Sequence, residues 1–168
     1  MYDFGQLVEK HEAMVFRTLA RITGDREGLE DMAQEVFLRL FRALPHFRGE
    51  AQISTFLYRI VVNVVNDEFR ERAKARRASS IEVAEARALI HASAGPAALA
   101  EQNQMRQAVE AGLQRLSAHD RAILTLHYQE DRSYQELAAI FDLPMGTVKT
   151  HLFRARERLK RMMEDWIR

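Results

Sequence analysis

No cysteine occurs in the 168 residues of this chain. Disulfides and thiolate-bound metals are thereby excluded, and a reducing compartment suits the composition. Proline and glycine are scarce, at three and seven, and the runs between them are long enough for helices. Sustained alternation of apolar and polar residues, the mark of half-buried strands, is nearly missing. The expected fold class is therefore all-α. No apolar run approaches the roughly 20 residues that cross a membrane. The opening stretch MYDFGQLVEKHEA has acids where a signal peptide carries bases. The expectation is a soluble, cytoplasmic protein.

Signatures of catalysis are missing as well. There is no phosphate-binding glycine loop and no Gly-x-Ser-x-Gly, and the six histidines are scattered. His11-Glu12 lacks the second histidine of a zinc protease motif. An enzyme, a resident metal, a cofactor and a small-molecule substrate are not expected.

About half of the chain is hydrophobic, so it can bury cores, and its length allows one domain or two small ones. The formal net charge is only +1, but it is unevenly placed. Arg70 to Arg77 holds five bases and one acid, and Lys149 to Arg161 holds six bases and one acid. The rest is therefore net acidic. Two basic clusters on an acidic chain suggest two contacts with a polyanion. Solvated helix ends, which favour Lys and Arg, are the plainer reading of either cluster alone.

Apolar spacing marks a first helix through Phe4, Leu7, Val8, Val15, Leu19 and Ile22, ended near Gly24. His11 lies on its apolar side, as a packed core residue would. A second helix runs from Leu29 to Leu44, stopped by Pro45, and Gly49 breaks the loop beyond it. A third is expected from about Ser54 to Ala75; its β-branched IVVNVV could pass for a strand, but the pattern continues past strand length. A stretch rich in Ala, Ser and Glu, containing Gly95-Pro96, then reads as a flexible linker. The expected division is 1–75, a linker at 76–100, and 101–168.

Four helices are expected in the second domain. Met105, Val109, Gly112 and Leu116 line the first, and Ser117 with Asp120 caps the next. Ser133-Tyr134-Gln135-Glu136 is a capping box for the third. SYQELAAIFDLPMGTVKTHLFRAR then has the anatomy of a helix-turn-helix. Ala138 is the small residue where helices cross, and Val148 is the β-branched anchor. Asp142 stands where many such motifs place glycine, which Asp tolerates through its turn-forming habits. Val148, Leu152, Ala155 and Leu159 form the apolar stripe of the last helix. Thr147, Lys149, Thr150, His151, Phe153, Arg154, Arg156 and Arg158 then face outward or sideways, as residues reading a major groove do. His127 could touch the DNA backbone. A helical pair without DNA is the plainer alternative.

In the first domain, Asp31, Gln34, Glu35 and Leu38 form a second stripe opposite the apolar one. Such a face suits a basic protein partner, or is simply solvated. Arg59, Asn63, Asn66 and Arg70 make a polar stripe on the third helix. Phe47, Phe56 and Tyr58 offer flat faces for unstacked bases, although Phe56 and Tyr58 also suit a core.

Taken together, DMAQEVFLRLFRAL, FRGEAQISTFLYRIVVNVVND and LQRLSAHDRAILTLHYQEDRSYQELAAIFDLPMGTVKTHLFRARERLK, in this order, resemble the extracytoplasmic function (ECF) group of bacterial sigma factors. The resemblance spans nearly the whole chain. It implies a promoter-recognition and melting subunit of RNA polymerase, built of sigma domain two, a linker and sigma domain four. It implies that Asp31, Gln34, Glu35 and Leu38 bind core polymerase. Phe47, Arg48, Gly49, Glu50, Ala51, Asn63, Asn66 and Arg70 would engage the minus-ten element. His127, Tyr134, Thr147, Lys149, Thr150, His151, Phe153, Arg154 and Arg156 would engage the minus-thirty-five element. An anti-sigma factor is the further partner implied, with Leu38 and Phe153 as contact points. Phe56 replaces the tryptophan usual in the family, keeping a flat apolar face but losing the indole N–H. A standalone helix-turn-helix regulator, binding duplex DNA as a dimer, remains the alternative.

Overall fold

Gly24, Gly28 and Pro45 set the first breaks in the chain. In a computed structural model, which describes residues 3–49, 52–78 and 97–167, α1 runs Phe4–Thr23 and is closed by Gly24 in the left-handed region at φ 67°. Asp3 opens it, accepting from the amides of Gly5 and Gln6. α2 spans Leu29–Ala43 and passes into a short 3-10 turn, Leu44–His46, that contains Pro45. The expected stop at Pro45 thus takes the form of a tightened last turn. α3 runs Ile53–Ala78, so IVVNVV is helical, and it exceeds its expected end by three residues of good helix formers.

α4 spans Ala97–Arg115, α5 Ala118–Tyr128, α6 Tyr134–Phe141 and α7 Met145–Ile167. The helices thus trim the expected linker at both ends, and its remainder, 79–96, lies outside the described residues. All regular structure among the described residues is helical. Ser117 accepts from the Asp120 amide, and Ser133 and Glu136 complete both halves of a capping box. Asp142 sits at φ 55° and closes α6, the left-handed conformation expected of it. One expected core residue is corrected: Met105 is 51% exposed, because α4 meets α7 on the face that carries Gly112 and leaves Met105 in water. At Gly112 an added Cβ would come within 2.8 Å of Leu159, so the glycine lets the two helices approach.

α1, α2 and α3 pack as one bundle around Leu19, Val36, Leu40 and Leu57; α4 to α7 pack around Ile123, Leu126, Leu137 and Val148. The two units also meet. α5 lies on α1 and α3, and α6 on α3, so the two cores are contiguous.

Candidate nucleic-acid interface

The last helix is anchored as its stripe demands. Val148, Leu152 and Ala155 are buried, and Leu159 is half-buried. The opposite face carries Lys149, Thr150, Phe153, Arg154, Arg156 and Arg158, all exposed, with Phe153 at 56%. Thr147 is half-buried at the start of the helix. Thr150 donates its hydroxyl to the Gly146 carbonyl at 3.0 Å. Two of the bases are tied within the molecule: Arg156 donates to the Tyr128 hydroxyl at 3.2 Å, and Arg158 to the buried Asp120 carboxylate. Arg154 enters no hydrogen bond, ion pair or ring contact among the described residues.

His151 turns sideways. Its Nδ1 lies 3.1 Å from His119 Nε2 on α5, and the two rings meet edge to face. Burial, and then the neighbouring His151 charge, hold the His119 pKa below its ordinary value. His127 and Tyr134 stack with ring centroids 5.1 Å apart, and the Lys149 ammonium lies 5.9 Å from the Tyr134 ring. The three therefore form a continuous edge beside the start of α7. Aromatic faces and a cation so placed are chemically able to meet sugar and phosphate.

On α3, Asn63 is exposed, Asn66 is half-buried, and Arg70 is exposed with Asp67 at 3.5 Å. Arg59, one turn earlier, pairs at 3.1 Å with Asp142 in the turn of the helix-turn-helix. The loop before α3 places Phe47 against Phe56, centroids 5.1 Å apart, with Arg48 and Gly49 exposed beside them. Glu50 and Ala51 lie outside the described residues. Tyr58 is core, as one of its two readings held: it is 4% exposed.

On α2, Asp31 and Gln34 are exposed, and Leu38 is 43% exposed. Glu35 is tied to Arg39 at 2.7 Å, and Arg39 also holds Asp67 on α3. Gln34 and Leu38 border a groove of about 760 Å³ between α1 and α2, floored by Phe16, Ala33 and Phe37 and flanked by Glu12 and Glu30. Phe41, 57% exposed, extends its apolar rim. Phe41 lies at the margin of the α2 apolar stripe and meets Phe4 edge to face, ring centroids 5.1 Å apart.

The largest feature missed from sequence joins the two units. Glu130, in the loop after α5, is buried, and its carboxylate accepts from Arg17 at 2.9 and 3.1 Å, Arg21 at 2.6 Å and the Tyr58 hydroxyl at 3.0 Å. Burial alone would raise the Glu130 pKa. The hydrogen bonds from Arg17 and Tyr58, with the Arg17 charge, outweigh it and hold the carboxyl below its ordinary range. Burial, then the Glu130 charge, push the Tyr58 phenol up to about 12. Arg121 of α5 is also buried and donates to the Ile22 and Thr23 carbonyls at 3.0 and 3.1 Å, the free end of α1. A lone acid in a polar loop leaves no periodic trace, so no sequence pattern points to Glu130.

Comparison with known proteins bears on both units. Residues 7–75 match Sigma-70 region 2, and residues 106–159 match Sigma-70, region 4. The ECF RNA polymerase sigma-E factor of Escherichia coli K12 is 31% identical, over 98% of this chain and 88% of its own length. The chain belongs to the ECF sigma factors of bacterial RNA polymerase. The RNA polymerase sigma-H factor of Pseudomonas aeruginosa is 29% identical over the same shares. Among solved structures, the sigma factor RpoE from Bartonella quintana, in complex with the anti-sigma factor NepR, superposes with a TM-score of 0.73 over 98% of both chains at 23% identity. CnrH, in complex with the cytosolic domain of CnrY, does so at 0.65 over 96% of this chain and 88% of its own, at 21% identity. These two likenesses establish the fold. As a sigma factor the protein binds core RNA polymerase and promoter DNA. No helix among the described residues is long and apolar enough to cross a membrane.

Proposed function

We propose that this sigma factor reads two promoter elements through two separate faces and takes no catalytic part in RNA synthesis. It would act in the cytoplasm, where its polymerase is. The observation that carries the reading is α7: a buried stripe of Val148, Leu152 and Ala155 holds the helix down, while Lys149, Thr150, Phe153 and Arg154 stand exposed. A helix held this way enters the major groove by its N-terminal half, where Arg and Lys suit guanine and Thr suits a thymine methyl. This face takes the minus-thirty-five element, with His127, Tyr134 and Arg156 beside the phosphates.

The second face is the polar stripe of α3 with the loop before it. Asn63, Asn66 and the Phe47–Phe56 pair would receive a base taken out of the minus-ten duplex, and Arg70 would follow the backbone. Trapping an extruded base offsets the few kcal/mol of unstacking, which is how a protein without a motor opens DNA. Joining two weak readers raises their joint affinity through effective concentration. Asp31, Gln34 and Leu38, beside an apolar groove edged by Glu12 and Glu30, would take a basic amphipathic helix of the polymerase. An anti-sigma protein would compete for the same exposed apolar residues, Leu38 and Phe153; the similar sigma factor RpoE of Bartonella quintana has been solved with the anti-sigma factor NepR.

Run-off transcription with purified core polymerase tests the reading. On templates carrying the cognate promoter, transcripts should start at one site and depend on this protein. Scrambling the upstream element should remove the dependence on Arg154, and scrambling the downstream element should remove the dependence on Asn63. Transcription indifferent to both elements would refute it.

A further inference from the structure

The His119 ring, on α5, meets both helices of the helix-turn-helix. It lies edge to face against Phe141 at the end of α6, centroids 5.1 Å apart, and against His151 of α7, centroids 4.9 Å apart. Both histidines are half-buried. His119 Nε2 and His151 Nδ1 face each other at 3.1 Å. A contact of that length needs one N–H and one lone pair, so the facing nitrogens share a single proton. It survives with neither ring charged, or with one. It does not survive with both charged, because two N–H groups and two cations would then face each other.

The charges that bear on His119 are His151 from α7 and Asp120 from its own helix. The Asp120 carboxylate is already taken by Arg158 of α7. α6 brings the uncharged Phe141 ring, and the acids on and just after it are engaged elsewhere, Glu136 with Arg132 and Asp142 with Arg59. On α7, Arg154 follows His151 by three residues and Arg158 by seven, a spacing that puts further cations on the same side. Burial, and then the His151 charge, hold the His119 pKa below its ordinary value. The second proton on the pair is therefore the unfavourable one, taken up only as pH falls through the lower histidine range.

His151 stands between Lys149 and Arg154 in the half of α7 that enters the groove. The buried stripe of Val148, Leu152 and Ala155 sets how deep α7 sits, but apolar contact is non-directional and leaves the roll of the helix loosely fixed. The hydrogen bond from pair to pair of rings is directional and sits level with the readers. A roll of about 20° at a helix radius of about 5–6 Å moves a side chain by roughly 2 Å, enough to break a hydrogen bond to a base.

We propose that His119 is a positioning residue for the upstream element: through His151 it fixes the roll of α7, and a second proton on the pair abolishes that hold. Preference for the upstream element is thereby sensitive to acid. Attraction to phosphate is not weakened, since the freed His151 carries an added charge. The role rests on the two-element reading above.

Holoenzyme reconstituted from core polymerase and the full chain is bound in competition to two promoter fragments, one with the upstream element intact and one with it scrambled. With wild type, the preference for the intact fragment should fall about fivefold, the worth of one weak base contact, between about pH 7.5 and about pH 5.5. His119→Gln places an amide where Nε2 stood; it accepts from a protonated His151, donates to a neutral one, and takes up no proton itself. Its preference should match wild type at the higher pH and persist at the lower. A wild-type preference that does not fall, or a His119→Gln preference that is lost or falls as far, would overturn the role of His119. No wild-type preference at the higher pH would sink the two-element reading, and the role with it. Nitrogen NMR of the imidazoles in the full chain gives the second readout. His119 should titrate at higher pH in His151→Gln than in wild type; an unmoved titration would overturn the pairing.

Discussion

Replacing Arg154 by alanine separates reading from folding. The side chain is exposed on α7 and has no internal partner among the described residues. Arg and Ala differ little in helix propensity, so the stability change should stay within about 0.5 kcal/mol. Its effect must then fall on DNA. A bidentate contact with a base is worth about 1–3 kcal/mol, or about 5- to 150-fold in affinity. Single-round transcription with core polymerase, on templates with intact and scrambled upstream elements, measures this directly. The loss should appear on the intact template and vanish on the scrambled one. If Arg154 met only phosphate, the loss would be uniform across sequences and the salt slope would fall by about one. A loss equal on both templates, or a melting temperature lowered by several degrees, refutes the assignment.

Three further predictions concern the scaffold. Ser133→Ala removes the cap on α6, only eight residues long, and should cost about 1 kcal/mol, or roughly 2–4 °C in melting temperature; an unchanged melt would show that packing alone holds the helix. Gly24→Ala forces a left-handed residue to carry a Cβ, which would also fall on the Gln114 side chain; a loss of about 1–2 kcal/mol is expected by denaturant titration. His119 has its folded pKa lowered, so the unfolded chain takes its proton first as pH falls. Stability from this group is therefore present above about pH 6.5 and declines below it. His119→Gln should flatten the decline between pH 7 and 5.5, and an unaltered slope would contradict it.

Much of this fold is legible in the chain. Helices with one buried stripe announce themselves, as α1 and α7 do, and caps such as Ser133 and Glu136 fix their starts because the backbone donors there need partners. Positions with two competing uses are less legible. Tyr58 is flat enough for a base but is core, its hydroxyl committed to Glu130. His151 is on the outward arc of α7 yet leans on His119. Glu35 shares a face with Gln34 yet is held by Arg39. Contacts between the domains were not legible, because Arg17, Arg121 and Glu130 obey no periodic rule and are paired only by tertiary structure.

The central claim is that this chain is a subunit which gives core RNA polymerase its promoter choice. Titrating it against purified core polymerase, with co-elution on gel filtration as the readout, tests that most directly. The expected result is a stable one-to-one complex that the double variant Asp31→Ala/Gln34→Ala, altered only at exposed α2 residues, fails to form although it melts like wild type. No complex with core polymerase, together with tight binding of the free chain to duplex DNA, would contradict it.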